Sequence, residues 1–119
     1  VVADGFVTKP ENNEHPVIRQ WLDGWQVNYL ETMDQFSAAM QETGFTAIGS
    51  RDISKATWRS AKRLYRFYFL ARLYLLWKKI NFSGPPTELQ RKNINACKYQ
   101  YAGMKKGLWQ YGLITGTKP

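Results

Sequence analysis

A catalytic nucleophile, a general base and a metal ligand each need side chains that this sequence supplies sparingly. Among 119 residues there is one cysteine, Cys97, and one histidine, His15, which excludes an internal disulfide framework and leaves too few soft ligands for zinc. Cys97 falls on the inner side of a helical pattern, where a thiol packs rather than reacts. His15 sits in a polar loop between prolines; it is the single imidazole that could serve as a general base toward a hydroxyl acceptor, and a solvated loop histidine explains it as well. The glycines at Gly103, Gly107 and Gly112 match neither a phosphate-binding loop nor a dinucleotide fingerprint. The nine acids form no pair at a diagnostic spacing. What the chain does offer is aromatic surface. Trp21, Trp25 and Tyr29 could line an acceptor pocket, although core packing accounts for them equally. Tyr65, Tyr68 and Phe69 could form the inner wall of a lid, and Arg59, Arg63 and Arg66, at helical spacing, could hold an anionic headgroup or simply lie in water.

Composition narrows the class. Hydrophobic residues make up 44% and aromatics 15%, too much apolar mass for a disordered tail, and the length allows one domain. No segment is long and apolar enough to span a bilayer, and the N-terminus lacks the basic start and apolar stretch of a signal peptide, so a cytoplasmic location is expected. The net charge of +8 is unevenly placed: residues 1–50 hold seven acids against Lys9 and Arg19, and residues 51–119 hold fifteen bases against Asp52 and Glu88. Such asymmetry marks a surface for phosphates, anionic lipid or another protein, or a solvated basic face. Nucleic acid is not the expected partner, because the aromatics among the bases lie in a mostly apolar helical run rather than on an alternating strand face.

The elements that must position these residues follow from periodicity. Val1–Phe6 reads as a buried strand closed by Asp4-Gly5, with its beginning missing, so the chain is expected to continue a longer protein. A polar loop spans 8–16. Residues 17–30 carry Ile18, Trp21, Leu22 and Trp25 on one helical stripe despite Gly24. Thr32 and Gln35 form a capping box for a helix whose inner face is Met33, Phe36 and Met40, ended by Gly44. Residues 45–53 read as a strand. Residues 57–80 form a long helix, apolar round most of its circumference, broken at Ser83-Gly84-Pro85-Pro86. Residues 87–106 read as a more polar helix with Ile94, Cys97, Tyr101 and Met104 inward. A last strand covers 108–115, with Gly112 as a weak point.

The order of segments VVADGF (Val1–Phe6), ETMDQFSAAMQETGF (Glu31–Phe45), a strand ending at Asp52-Ile53, and YGLITGTKP (Tyr111–Pro119) resembles the C-terminal part of a class I S-adenosylmethionine-dependent methyltransferase of the small-molecule type. The resemblance rests on Thr32, Phe36, Met40, Gly44 and Phe45 after the first strand, and on the final Lys-Pro tail. It implies an α/β fold: the C-terminal half of a Rossmann-like sheet, with strands resembling the fifth, sixth and antiparallel seventh. Residues 57–106 would be a helical lid inserted over the substrate.

The resemblance also implies function. The full-length relative would be an enzyme using S-adenosylmethionine. The early strands and the glycine-rich turn that hold the cofactor in that family have no counterpart here, so no cofactor is expected on this fragment, which would be silent alone. Its partners would be a small, lipophilic acceptor and a cofactor-holding N-terminal half. The sheet edge left open beside Val1–Phe6 would invite a homo-oligomer. Asp4 and Phe6, ending the strand that resembles the fifth, would face the acceptor cleft. A different class of reading remains: a stand-alone interaction or peripheral-membrane module that uses the basic helix of residues 57–80.

Overall fold

The computed structural model describes residues 1–81 and 84–119, and among these residues the chain forms three strands and four α-helices. β1 (Val2–Val7) runs into a short 3-10 turn (Pro10–Glu14) and α1 (Pro16–Trp25). Pro16 opens α1 with its preset φ, and His15 Nδ1 accepts the Val17 N–H at 3.2 Å, so the lone histidine is a helix cap. The helix expected over 17–30 stops five residues early. Gln26 takes a left-handed φ of 57° and its N–H returns to the carbonyls of Asp23 and Leu22. Residues 27–30 then leave outside any helix or strand, held where Leu30 exchanges two 2.8 Å hydrogen bonds with the Asn13 side chain. Periodicity cannot see a tether of that range.

α2 (Met33–Glu42) begins on the expected box: Thr32 Oγ1 accepts from Gln35 N, and Gln35 Oε1 accepts from Thr32 N. Gly44, at φ 93°, turns the chain into β2 (Thr46–Asp52). α3 (Ser54–Ile80) starts three residues ahead of the expected position, because Asp52 Oδ1 accepts the Ser54 N–H and the Ile53 carbonyl accepts the next turn's amides. The break expected at Ser83–Pro86 falls partly on Ser83, outside the described residues. α4 (Glu88–Lys105) has a second capping box, Thr87 with Gln90. Gly107, at φ 70°, releases the chain into β3 (Trp109–Thr117).

The sheet order is β1-β3-β2, with both pairings antiparallel. β1 and β2 therefore point the same way, and β3 runs back between them. Val1–Phe6 thus lies beside the last strand, as the resemblance requires, with Val2 opposite Ile114 and Val7 opposite Trp109. The carboxyl ends of β1 and β2 meet the start of β3.

Alternation along β3 divides the layers. One face, carrying Trp109 with Val7 of β1, is covered by α1 and α4; Val7, Ile18, Leu22 and Ala96 are almost wholly buried there. The other face meets α2, where Phe6 packs edge-on to Phe36 at 5.6 Å. Gly112 is a contact point rather than a weak one. A Cβ there would come within 2.7 Å of both Met33 Sδ and Phe6, so the missing side chain lets α2 sit on the sheet. Gly24 does the same between helices: a Cβ would lie 2.6 Å from the Lys92 carbonyl oxygen and 2.7 Å from Ala96 Cβ.

The radius of gyration is 17.1 Å, against about 13.5 Å for a compact chain of this length. The excess comes from α3, whose 27 residues span about 40 Å and carry its second half beyond the sheet. No helix among the described residues is long and apolar enough to cross a membrane.

Candidate functional site

β1 and β2 point the same way on either side of the antiparallel β3, and the crevice outside such shared carboxyl ends is a place for a ligand. Here that place is where Val7 and Asp52 end and β3 begins. A cleft of about 430 Å³ opens there between β3, α3 and α4. Trp109 and Tyr111 form its floor, Leu64 and Phe67 one wall and Met104 the other. Its polar groups are Thr57, Ser60, Arg63 and Gln100. A wider hollow of about 680 Å³ lies between α2 and β2, toward the amino end of β2, and is more open. Topology favours the smaller cleft.

The cleft is built on fixed parts. Trp109 is 2% exposed; its Nε1–H donates to the Gln100 carbonyl at 2.8 Å, and its ring packs 4.5 Å from that of Trp21. The ring can sit so close to α4 because residue 103 is glycine: a Cβ would fall 2.9 Å from it. Tyr111 is tied to the root of α3 twice, its N–H donating to Ser54 Oγ and its carbonyl accepting from Ile53 N, each at 2.8 Å. The wall and the floor are thus held in register by one backbone bond and one bond to the Ser54 hydroxyl.

The residues singled out from sequence are scattered about this cleft. Trp21 lies buried behind Trp109 and supports the floor without lining it. Trp25 and Tyr29 are 53% and 59% exposed and stand clear of it. Asp4 and Phe6 share the opposite face of the sheet. Phe6 is buried under α2, and Asp4 Oδ1 accepts the N–H of its neighbour Gly5 at 2.7 Å. His15 caps α1. Tyr65 stacks on Tyr101 at 4.6 Å and meets Phe69 edge-on at 5.2 Å, while Trp58 lies 5.1 Å from Tyr101. This cluster clips α3 to α4 on the flank away from the cleft. Of the three arginines, Arg63 lines the cleft; Arg59 and Arg66 share with it a second hollow of about 450 Å³ on the outer side of α3, lined by bases and Ser60 with no aromatic floor.

Trp109, Tyr111 and Gln100 carry the site and were not singled out from sequence. The signal for two of them was present: Trp109 and Tyr111 share a face by the two-residue period, at the start of the strand that must lie beside the end of β1. Cys97 is half-buried and donates to the Asn93 carbonyl at 3.6 Å. Burial pushes its thiol pKa up, the backbone hydrogen bond opposing, so it stays protonated and unreactive. No group of His, Cys, Asp or Glu among the described residues could hold a metal ion.

This chemistry is binding and positioning. The lining holds hydroxyls, an amide and one guanidinium over an aromatic floor, with no carboxylate or imidazole. It suits a small molecule with an apolar body and an anionic or hydrogen-bonding end.

The architecture has a solved counterpart. The chain is similar to Haemonchus contortus phosphoethanolamine N-methyltransferase 2, in complex with phosphomonomethylethanolamine and S-adenosylhomocysteine, with a TM-score of 0.61 over 98% of this chain and 13% identity. The fold is methyltransferase-like. It is a partial α/β layer, since the chain spans 25% of that neighbour's length. No protein-family model matches the sequence, and no curated protein sequence does.

Proposed function

We propose that this chain is the C-terminal, acceptor-side part of an S-adenosylmethionine-dependent methyltransferase for a small acceptor with a lipophilic body. Catalysis would require a cofactor-holding neighbour, and the chain alone would be silent. The observation that carries this reading is the cleft at the shared carboxyl ends of β1 and β2, floored by Trp109 and Tyr111 of the reversed strand and roofed by the helices inserted before it. A cytoplasmic site of action goes with it.

The residues present do not fit the cofactor. The cleft offers no carboxylate to a ribose, and the helices begin at Pro16, Met33, Ser54 and Glu88, none of them after a glycine-rich turn. No step is therefore derived through it. This chain's share is to seat the acceptor, hold its anionic or polar end at Arg63, and exclude water with the Trp109 and Leu64 surfaces. In-line transfer gains most of its rate from such positioning and desolvation. No carboxylate or imidazole lines the cleft on this chain, so the proton that the acceptor atom must lose to become nucleophilic would pass to the cofactor-holding neighbour or to water.

The neighbour would pair along the outer edge of β1. That edge is partly satisfied: Gly5 N–H is held by Asp4, and Val7 N–H donates to the Glu31 carbonyl at 3.1 Å. A further strand, or a second copy of this chain, would have to displace Asp4. Its carboxylate is the edge's own guard against indiscriminate pairing.

Calorimetry on the chain tests the reading, with N-hexylaminoethyl phosphate as the probe, which joins an apolar body to the phosphate and amine of the fold neighbour's ligand. Saturable binding is expected, weakened roughly ten-fold or more in Arg63→Ala by loss of a charge-assisted hydrogen bond, and no heat is expected with S-adenosylmethionine. Binding indifferent to Arg63, or none, would overturn the assignment of the cleft.

A further inference from the structure

α3 presents two different surfaces along one line of its outward side. At about 100° per residue, the side away from the buried Ala61 and Tyr68 carries Lys55, Arg59, Lys62, Arg63 and Arg66 over its first half, all exposed and with no acid among them. Over its second half the same side carries Leu70, Leu73, Tyr74, Leu76, Trp77 and Ile80, each more than half exposed, and no charged residue. Of the three charges of that half, Lys78 lies by the same count on the flank of the cleft, and Arg72 and Lys79 lie on the flank toward α4. There they line a groove with Arg91 that borders the apolar sector at Leu76. Both ion pairs among the described residues use Lys92, on α4. The cations around the apolar sector therefore have no carboxylate partner among those residues.

A soluble monomer rarely leaves so many contiguous large apolar side chains in water. The charge around them selects what covers them. An acid-free basic segment in line with an apolar sector, bordered by three further cations and including Trp77 and Tyr74, complements an anionic lipid surface, where aromatic rings settle at headgroup depth and bases meet phosphates. We infer that α3 docks the protein on anionic bilayers, lying along the interface. Leu70 to Ile80 enter the interfacial layer while Arg59, Lys62 and Arg66 engage headgroups. The cleft opens on the adjoining flank of α3 and shares Arg63 with the basic segment, so docking would bring it close to lipophilic acceptors. The basic segment adjoins the cleft at Arg63, but the apolar sector from Leu70 to Ile80 uses no cleft residue, and the readout below is lipid binding rather than acceptor binding.

Co-sedimentation of the 119-residue chain with vesicles tests it. Binding is expected to vesicles of phosphatidylcholine with phosphatidylserine, to be weak on phosphatidylcholine alone, and to fall as salt rises. Leu73→Glu with Trp77→Glu should abolish it. Arg59→Ser, Lys62→Ser and Arg66→Ser should each weaken it about five-fold. All these positions are exposed, so the thermal melts should match the parent's. The lipid and salt dependence of the parent chain decides the matter without any variant. Absent binding, equal binding to both vesicle types, or binding that survives the apolar substitutions would overturn the inference. So would a lipid-free dimer, dissolved by the same substitutions and indifferent to vesicles, which would assign the face to a second copy.

Discussion

The two halves of α3 live in different physical settings, though one continuous helix joins them. At its root, Ser54 is bonded to β3, Ala61 is buried against the core, and Leu64 faces Trp109 across the cleft. Toward its tip, one flank touches α4, and Leu70, Leu73, Trp77 and Ile80 face water. The same apolar residue types therefore mean different things. At the root they fix the geometry of a cleft; at the tip they fix nothing inside the molecule and are left for something outside it.

Substitutions that treat the two regions alike should expose the difference. Trp109→Ala removes the cleft floor and the ring against Trp21, and should cost about 3–5 kcal/mol in urea denaturation. Trp77→Ala, the same deletion at the tip, should stay within about 0.5 kcal/mol. A comparable loss at both would mean that the tip is part of the core. Next in size is Gly24→Val, which must push α1 off the Lys92 carbonyl and Ala96; a loss of about 1–3 kcal/mol is expected. Thr32→Ala, removing half of the α2 capping box, should cost about 1 kcal/mol and leave the cleft untouched.

The smallest effect belongs to Cys97. Its folded-state pKa is raised by burial, so its contribution to stability is fully present below the ordinary thiol range and is lost as pH rises through the raised value. The parent chain should melt earlier as the solution becomes alkaline, with a shallow slope that Cys97→Ala removes. An unchanged slope in that variant would assign the alkaline loss to other groups.

The elements were legible because their signals are local. The Thr32–Gln35 box, Gly44 and Gly107 each act within one turn, and each does in the structure what its type dictates. What was hidden depends on distant partners. α1 ends at Trp25 because Asn13 captures Leu30, and no window of the sequence contains that pairing. Gly112 reads as a break in a strand until Met33 and Phe6 are placed around it. The site suffered most. The apolar pattern round most of α3 says that the helix must be covered but not by which neighbour, and Tyr65 turns out to stack on Tyr101, with the half-exposed Phe69 edge-on to Tyr65, rather than line the cleft. Asp4 and Phe6 were placed by their position at a strand end, while the two-residue alternation had already set them on the face opposite Trp109.

The claim on which the functional account depends is that the carboxyl-end cleft, and no other surface, receives the acceptor. Indole N–H resonances report on this directly, since the five tryptophans sit at the floor, behind it, on α1's outer side, in the aromatic clip and at the tip. Titration of the chain with small lipophilic amines bearing an anionic end should shift the Trp109 indole saturably, with Trp25 and Trp77 unmoved and the response lost in Arg63→Ala. A saturable response centred on Trp77 or Trp25, with Trp109 silent, would contradict the account.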